Sequence, residues 1–186
     1  MKRANLSIFI ITMGSGGAEK VTSLLLKKLV LDYNVTLILM YNDIHFHIPE
    51  DVNTIVMCPK SYMERSYYLR FYDSISFLFS YNRIIREERI NYAISFLALP
   101  NLMNGIIAKF NPSVKTYISE RGFPSDNTSS RLSFYISKMF YPILYNKCDK
   151  LFSNSKYINE DLKNNFGIKI PMNVIYNPIE NPKTTI

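Results

Sequence analysis

Apolar and polar positions change period repeatedly along this chain, and each change marks an element. Residues 5–12, NLSIFIIT, are a short apolar run rich in β-branched side chains, as expected of a buried strand. From Val21 the period lengthens. Val21, Leu24, Leu25 and Leu29 recur at i, i+3, i+4 and i+8 while Lys27 and Lys28 turn outward, which predicts an amphipathic helix. NVTLILMY (34–41) and VNTIVMC (52–58) read as strands, the second ended by Pro59. Residues 65–89 are long, aromatic and basic, and mostly helical in expectation. NYAISFL (91–97) is a strand, Pro100 opens a helix to about Phe110, and VKTYIS (114–119) is the next strand. After a polar loop, Leu132, Tyr135, Ile136, Met139, Phe140, Ile143 and Leu144 form a helical stripe, with a kink expected at Pro142. KLFSNS (150–155) is a strand, Ser155 caps a helix ending near Gly167, and MNVIYNP (172–178) is the last strand.

Strands and helices alternate throughout, and most strands are continuous apolar runs. That combination predicts a mostly parallel sheet with helices on both faces, in which ligands sit beyond the carboxyl ends of the strands near the topological switch point. With 186 residues, 47% of them hydrophobic and 20% charged, the chain suits one globular domain. Lys and Arg number 22 against 15 Asp and Glu, so the surface is basic and favours phosphorylated ligands, anionic lipid or nucleic acid. No nucleic-acid recognition module is present, and nucleic acid is not expected as a partner. Cys58 and Cys148 stand apart and read as reduced thiols of a cytoplasmic protein. Lys2-Arg3, the apolar residues 6–13 and the small residues 14–18 outline a signal peptide. The run is short, broken by Ser7 and Thr12, and continues into an amphipathic helix, so it is read as the first strand and helix. No apolar run reaches the ~18–20 residues of a membrane span.

The candidate chemistry begins at GSGG, residues 14–17, between the first strand and the first helix. Glycines let a backbone turn and approach a ligand closely, and the N–H groups opening a helix favour an anion. A plain tight turn would use the same residues. A dinucleotide fold wants G-x-G-x-x-G; Gly14 and Gly16 match its start and Asp43 suits the ribose-binding acid, but Glu19 occupies the third glycine's place.

The corner GSGGAEKVTSLLLKKL resembles the N-terminal signature of family 4 retaining glycosyltransferases, enzymes of GT-B architecture. ISFLALPNLMNGIIAK, TYISERGFP, CDKLFSNSKYINEDLKNNFG and VIYNPIE follow in the family's order, the Ser119-Glu120-Arg121 and Ile175-Tyr176-Asn177-Pro178 elements being the most telling. The resemblance implies a Rossmann-like three-layer α/β domain over residues 1–180, the acceptor half of a GT-B enzyme. Residues 181–186 would begin the linker to a C-terminal domain that holds the nucleotide-sugar and that this chain lacks.

The resemblance also implies residue roles. Gly16, Gly17, Glu19 and Lys20 would lie at the donor diphosphate or transferred sugar; Glu19 equally suits a first-turn acid beside the helix dipole. Glu120 and Arg121 are the candidate catalytic pair, Arg121 meeting a phosphate bidentately and Glu120 a sugar hydroxyl; a structural Glu–Arg pair is the other reading. Asn101, Asn104 and Ser119 are candidate acceptor contacts. The family needs no metal, and His45 and His47 read as loop histidines. Arg65, Arg70, Arg83, Arg86 and Arg89, set among Tyr and Phe, suit either a helix lying on an anionic membrane or a core helix with a solvated face. The expected function is acceptor binding for transfer of a sugar from a nucleotide-sugar to a lipid-linked or polysaccharide acceptor, at the cytoplasmic side of a membrane. The chain alone is expected to be inactive. A phospho-ligand binding module without catalysis, or a membrane-surface adaptor, are the alternatives.

Overall fold

The computed structural model describes residues 3–126 and 131–177, without the side chains of 131–133. The Leu132 side chain, Pro178 and the expected linker 181–186 lie outside the described residues. In chain order the elements are β1 (Ala4–Ile10), α1 (Gly17–Leu29), β2 (Tyr33–Tyr41), β3 (Asn53–Cys58), α2 (Tyr67–Glu87), β4 (Tyr92–Phe96) and α3 (Ala98–Phe110). There follow β5 (Lys115–Glu120), α4 (Arg131–Leu144), a 3-10 turn (Tyr145–Lys147), β6 (Lys150–Ser153), α5 (Lys156–Phe166) and β7 (Met172–Val174). The strands form one sheet of order β3-β2-β1-β4-β5-β6-β7, and every neighbouring pair is parallel. The chain runs outward from β1 to β3, then α2 carries it back across the sheet to β4. The switch point lies between β1 and β4, and it is there that the loops at the carboxyl edge diverge and leave a crevice.

Side-chain alternation along β1 decides which helix goes where. Leu6, Ile8 and Ile10 pack against Ala18, Val21 and Leu26 of α1. Phe9 points the other way, stacked on Tyr81 at 4.2 Å, with Phe77, Ile84 and Ile85 of α2 and Met103 and Ile107 of α3. Through Ser95, Phe9 is in register with Ile118 and Leu151, which meet Tyr141, Tyr145, Leu162 and Phe166. Among the described residues α1 therefore covers one face and α2 to α5 the other, a Rossmann-like three-layer arrangement.

α5 starts and stops at its expected capping residues, whereas α1, α2 and α3 begin without a side-chain cap. Ser155 accepts the Tyr157 N–H at 3.2 Å and so ends β6 at Ser153, earlier than its apolar run suggested. Gly167 closes α5 with φ +64°, the left-handed conformation that glycine adopts at least cost. α3 begins at Ala98, before Pro100, whose missing N–H falls in the first turn where it lacks no partner. The residue preceding α3, Leu97, takes φ +74° and ψ 157°, a region that costs a non-glycine residue on the order of 1–3 kcal/mol.

The stripe predicted on α4 has the right period but faces outward: Tyr135 is 66% exposed and Met139 53%. Burial comes instead from Tyr141 and Tyr145, stacked at 4.4 Å. The helix runs through Pro142 to Leu144 before tightening into the 3-10 turn. α3 approaches this turn closely because position 105 is glycine. A Cβ there would lie 2.7 Å from the Leu144 carbonyl carbon.

Gly105→Ala should therefore destabilise the domain by about 1–3 kcal/mol, because a backbone carbonyl cannot swing aside as a side chain does. Urea unfolding measures it; a midpoint equal to wild type would mean that the α3–α4 contact yields freely.

Candidate functional site

At the carboxyl edge, beside the switch point, the loops enclose a cleft of about 820 Å³. α1 contributes its N-terminus, Gly17 to Glu19, and β5 contributes Glu120 with Arg121 and Gly122 after it. Tyr41, Tyr62 and Arg70 make the opposite side, with Leu97, Asn154 and Asn177 completing the rim.

Gly16 is the N-cap of α1 in ordinary extended conformation, φ −79°, and no side chain caps the helix. The first helical N–H groups consequently have no intrahelical partner. Gly167 is the glycine at positive φ, so the corner at 14–17 does not need glycine for its backbone angles, contrary to the expected reason. Packing within the protein demands it only weakly, because the atoms nearest a Cβ on Gly16 are the movable end of the Glu19 side chain. The Glu19 carboxylate folds back onto Gly16, its Cδ 2.9 Å from where a Cβ would stand, while a Cβ on Gly17 would meet nothing within 4 Å. Lys20 is exposed and does not line the cleft.

Glu120 is 3% exposed at the end of β5. Its Oε2 accepts the Tyr145 hydroxyl at 3.0 Å and the Asn101 amide at 3.4 Å. Burial pushes its carboxyl up to about 7, against the opposing pull of Tyr145, Asn101 and the backbone N–H groups of Arg121 and Gly122. Arg121 does not pair with Glu120. Its Nε donates to Ser119 Oγ at 2.9 Å, its Nη1 to Asn177 Oδ1 at 3.1 Å, and its guanidinium lies 5.5 Å from the Phe96 ring centre. Burial lowers its pKa, and no carboxylate pairs with it among the described residues. The structural Glu–Arg pair considered from sequence is therefore absent. Instead, the two telling elements of sequence, at 119–121 and 175–177, meet in space.

The three candidate acceptor contacts sit inside the protein. Asn101 and Asn104 are 0% exposed and Ser119 is 2%. Asn101 accepts Ser95 Oγ at 2.8 Å and donates to the Ser119 carbonyl at 3.0 Å. Asn104 accepts the Tyr81 hydroxyl and donates to the Ala93 and Tyr117 carbonyls at 3.1 and 3.0 Å. These amides fasten α3 to the sheet and leave little to offer a ligand, so their placement departs from the expected acceptor side. The reason is that helix α3 starts immediately at the end of β4, which turns its first polar residues down onto the strand ends.

The arginines of the aromatic helix also divide. Arg65 pairs with Asp73 through Nε at 2.7 Å and Nη2 at 2.5 Å, which neutralises it. Arg70 lines the cleft. Arg83, Arg86 and Arg89 remain exposed, Arg83 3.8 Å from Glu87. The exposed apolar side chains of α2 lie between Tyr67 and Phe79: Tyr67 is 81% exposed, Phe71 64% and Phe79 71%. Asp43, the candidate ribose acid, is spent on the Tyr62 N–H at 2.7 Å. His45 and His47 are exposed in the β2–β3 connection, and no group of three metal-binding side chains occurs among the described residues.

The family model of Glycosyltransferase Family 4 matches residues 15–181. This chain belongs to glycosyltransferase family 4. Its sequence is 32% identical over 177 residues to the N-acetylgalactosamine-N,N'-diacetylbacillosaminyl-diphospho-undecaprenol 4-alpha-N-acetylgalactosaminyltransferase of Campylobacter jejuni, covering 94% of this chain and 48% of that protein. Among solved structures it resembles the lipopolysaccharide outer core galactosyltransferase WaaB in its apo form (TM-score 0.67, 12% identity, 98% of this chain and 50% of that one). It also resembles the sucrose-phosphate synthase of Thermosynechococcus elongatus (TM-score 0.69, 9% identity, 94% of this chain and 48% of that one). The chain spans about half the length of these relatives, and its fold is that of one half of a GT-B glycosyltransferase.

Several site residues of the family 4 domain carried no signal in sequence. Tyr145 reaches Glu120 from a turn that no motif marks. Asn154 lies inside a run read as strand, and its Oδ1 is buried without a partner. Leu97 looks like any strand-end leucine, although its unusual φ orients the start of α3.

The Glu120 carboxyl supplies a stability prediction. Its folded pKa, about 7, is raised above the ordinary 4.5. The neutral form thus contributes stability that is complete below about pH 4.5 and is lost as pH rises to about 7, on the order of 3 kcal/mol in all. Glu120→Gln should remove this component. Thermal unfolding at pH 5 and pH 8 should show a smaller pH-dependent fall in the variant; equal falls would mean that Glu120 titrates normally.

Proposed function

We propose that this domain binds the acceptor of a retaining sugar transferase that takes a sugar from a nucleotide-sugar and adds it to a lipid-linked or polysaccharide glycan. The observation that carries the reading is the cleft at the switch point, where Glu120, Arg121, Gly17 and Asn177 converge. Gly17 leaves room for a ligand against the α1 N-terminus, where free N–H groups favour an anion. Glu120, its carboxyl pushed up to about 7 by burial, can take a hydrogen bond from a sugar hydroxyl or hold a proton beside it. Arg121 Nη2 makes no bond among the described residues and suits a phosphate oxygen, while the unpartnered Asn154 Oδ1 suits a hydroxyl. The nucleotide-sugar is held by a second domain, no metal takes part, and this domain alone transfers no sugar.

The acceptor side meets a membrane surface. Among the described residues no helix is long and apolar enough to cross a membrane. The exposed Tyr67, Phe71, Ile75 and Phe79 of α2, with Arg83 and Arg86 on the same helix, suit peripheral contact with anionic lipid. The relative in Campylobacter jejuni is named for a diphospho-undecaprenol substrate, which supports a lipid-linked acceptor at such a surface.

The purified chain should co-sediment with anionic vesicles, more strongly when they carry a polyprenyl-diphosphate glycan, and should release no nucleotide from any nucleotide-sugar. Tyr67→Ser with Phe71→Ser, joined to Arg83→Gln and Arg86→Gln, should cut vesicle binding by roughly thirtyfold or more, each basic residue near the surface contributing about 1 kcal/mol. Turnover by the chain alone, or indifference to the glycolipid, would contradict the reading.

A further inference from the structure

Glu120 ends β5 and lines the cleft, and two wholly buried side chains from other elements hold it from behind. Tyr145 of the 3-10 turn and Asn101 of α3 both donate to the same carboxyl oxygen, Oε2, at 3.0 and 3.4 Å. Neither donor is free to swing away. The Tyr145 ring is stacked on Tyr141 at 4.4 Å. The Asn101 amide is anchored by the Ser119 carbonyl, to which it donates, and by Ser95 Oγ, which it accepts. Oε1 has no side-chain donor among the described residues. Arg121, next in the chain, spends its Nε on Ser119 and its Nη1 on Asn177.

The two oxygens are therefore unequal. A proton on Oε2 would meet the Tyr145 hydroxyl proton and the Asn101 amide proton, and would displace one of two buried hydrogen bonds. A buried donor deprived of its acceptor is costly. A proton on Oε1 displaces neither. The titratable groups around Glu120 do not reverse this preference. Tyr145 and Tyr141 are held neutral by burial, which raises both hydroxyls. Arg121 is bonded to neutral partners, and Glu19, which lines the same cleft from α1, is itself an acid.

We infer that Tyr145 is a positioning residue: with Asn101 it keeps Glu120 Oε2 an acceptor, so that neutral Glu120 carries its proton on Oε1 and presents it to a ligand oxygen in the cleft. The ligand end of the inference rests on the acceptor reading above. It names what the site selects, a sugar oxygen that accepts a hydrogen bond, such as a ring ether or an amide carbonyl.

The test is infrared spectroscopy of the whole chain, read as the difference between pH 5 and pH 9, with Glu120→Gln identifying the Glu120 carboxyl band by its loss. With the proton on Oε1, the carbonyl oxygen is Oε2, which accepts two hydrogen bonds, and its stretch should lie at low frequency. Tyr145→Phe keeps the ring and removes one of those bonds, so the band should rise. A role of Tyr145 in packing alone would not move it. A wild-type band at the high frequency of an unbonded carbonyl overturns the inference, as does a band that Tyr145→Phe fails to raise. The wild-type frequency decides the question even if Tyr145→Phe does not fold.

The ligand arm follows binding of N-acetylgalactosamine linked to a short prenyl diphosphate, by NMR titration at pH 6 and pH 8. Affinity should fall roughly tenfold between the two as Glu120 ionises, and Glu120→Gln should lose that pH dependence. Equal affinity at both pH values, with shifts at Gly17 and Asn154, would remove Glu120 as the donor and leave the acceptor reading standing. No binding at either pH would sink the acceptor reading, and the ligand end of the inference with it.

Discussion

The cleft depends on how α3 is fastened to the sheet. Two wholly buried amides, Asn101 and Asn104, hold the helix to the carbonyls of β4 and β5. The Ser119 carbonyl accepts both the Asn101 amide and the Leu97 N–H at 3.2 Å, so Leu97 is held at positive φ by bonds on the neighbouring strand. That conformation turns the chain from β4 into α3 without a loop. Asn101 then reaches Glu120, Gly105 lets the α4 end approach, and Tyr145 arrives at the same carboxylate. Local strain at Leu97, a glycine in mid-helix and three buried polar side chains are separately unfavourable. Together they are consistent, because each satisfies or makes room for another.

What the fastening leaves at the edge is a cleft with a protonatable acid and little compensation for its cations. Glu120 is removed from solvent and spends its hydrogen bonds on Tyr145 and Asn101, so it does not neutralise Arg121 beside it. Arg121 is bonded to neutral groups, and the α1 N-terminus has no side-chain cap. The cleft thus sets Arg70 and Arg121, neither paired with a carboxylate among the described residues, beside the acids Glu19 and Glu120, a mixed lining that suits a sugar compound carrying phosphate. It also fits membership in glycosyltransferase family 4, whose GT-B relatives here are about twice as long.

Much of this was legible in the sequence. Continuous apolar runs and period-3.6 patterns located the strands and helices, and alternation of the two specified a parallel sheet and so the edge where ligands bind. The glycine corner, Glu120 and Arg121 were located correctly at that edge. The reasons were harder to read. Glycine at 16 and 17 is demanded neither by a positive φ nor by packing, since a Cβ at 16 would meet only the movable Glu19 carboxylate and one at 17 nothing. Asn101 and Asn104 follow a strand end, as ligand contacts often do, but the absence of a connecting loop turned them inward. On α4 the apolar period was visible and its direction was not, because the burial is carried by Tyr141 and Tyr145, which lie off the predicted stripe, with Glu120 supplying a partner to Tyr145. Arg65 and Arg70 look alike in sequence. Asp73 separates them by neutralising one and leaving the other charged.

The central claim is that the acceptor binds in this cleft and not on the outer surface of the helices. Backbone chemical-shift mapping of the whole chain with a water-soluble acceptor glycan diphosphate tests it directly. Shifts should concentrate at Gly17, Leu97, Glu120 to Gly122 and Asn154, with the outer faces of α4 and α5 unchanged. Shifts confined to those outer faces, with the cleft silent, would contradict it.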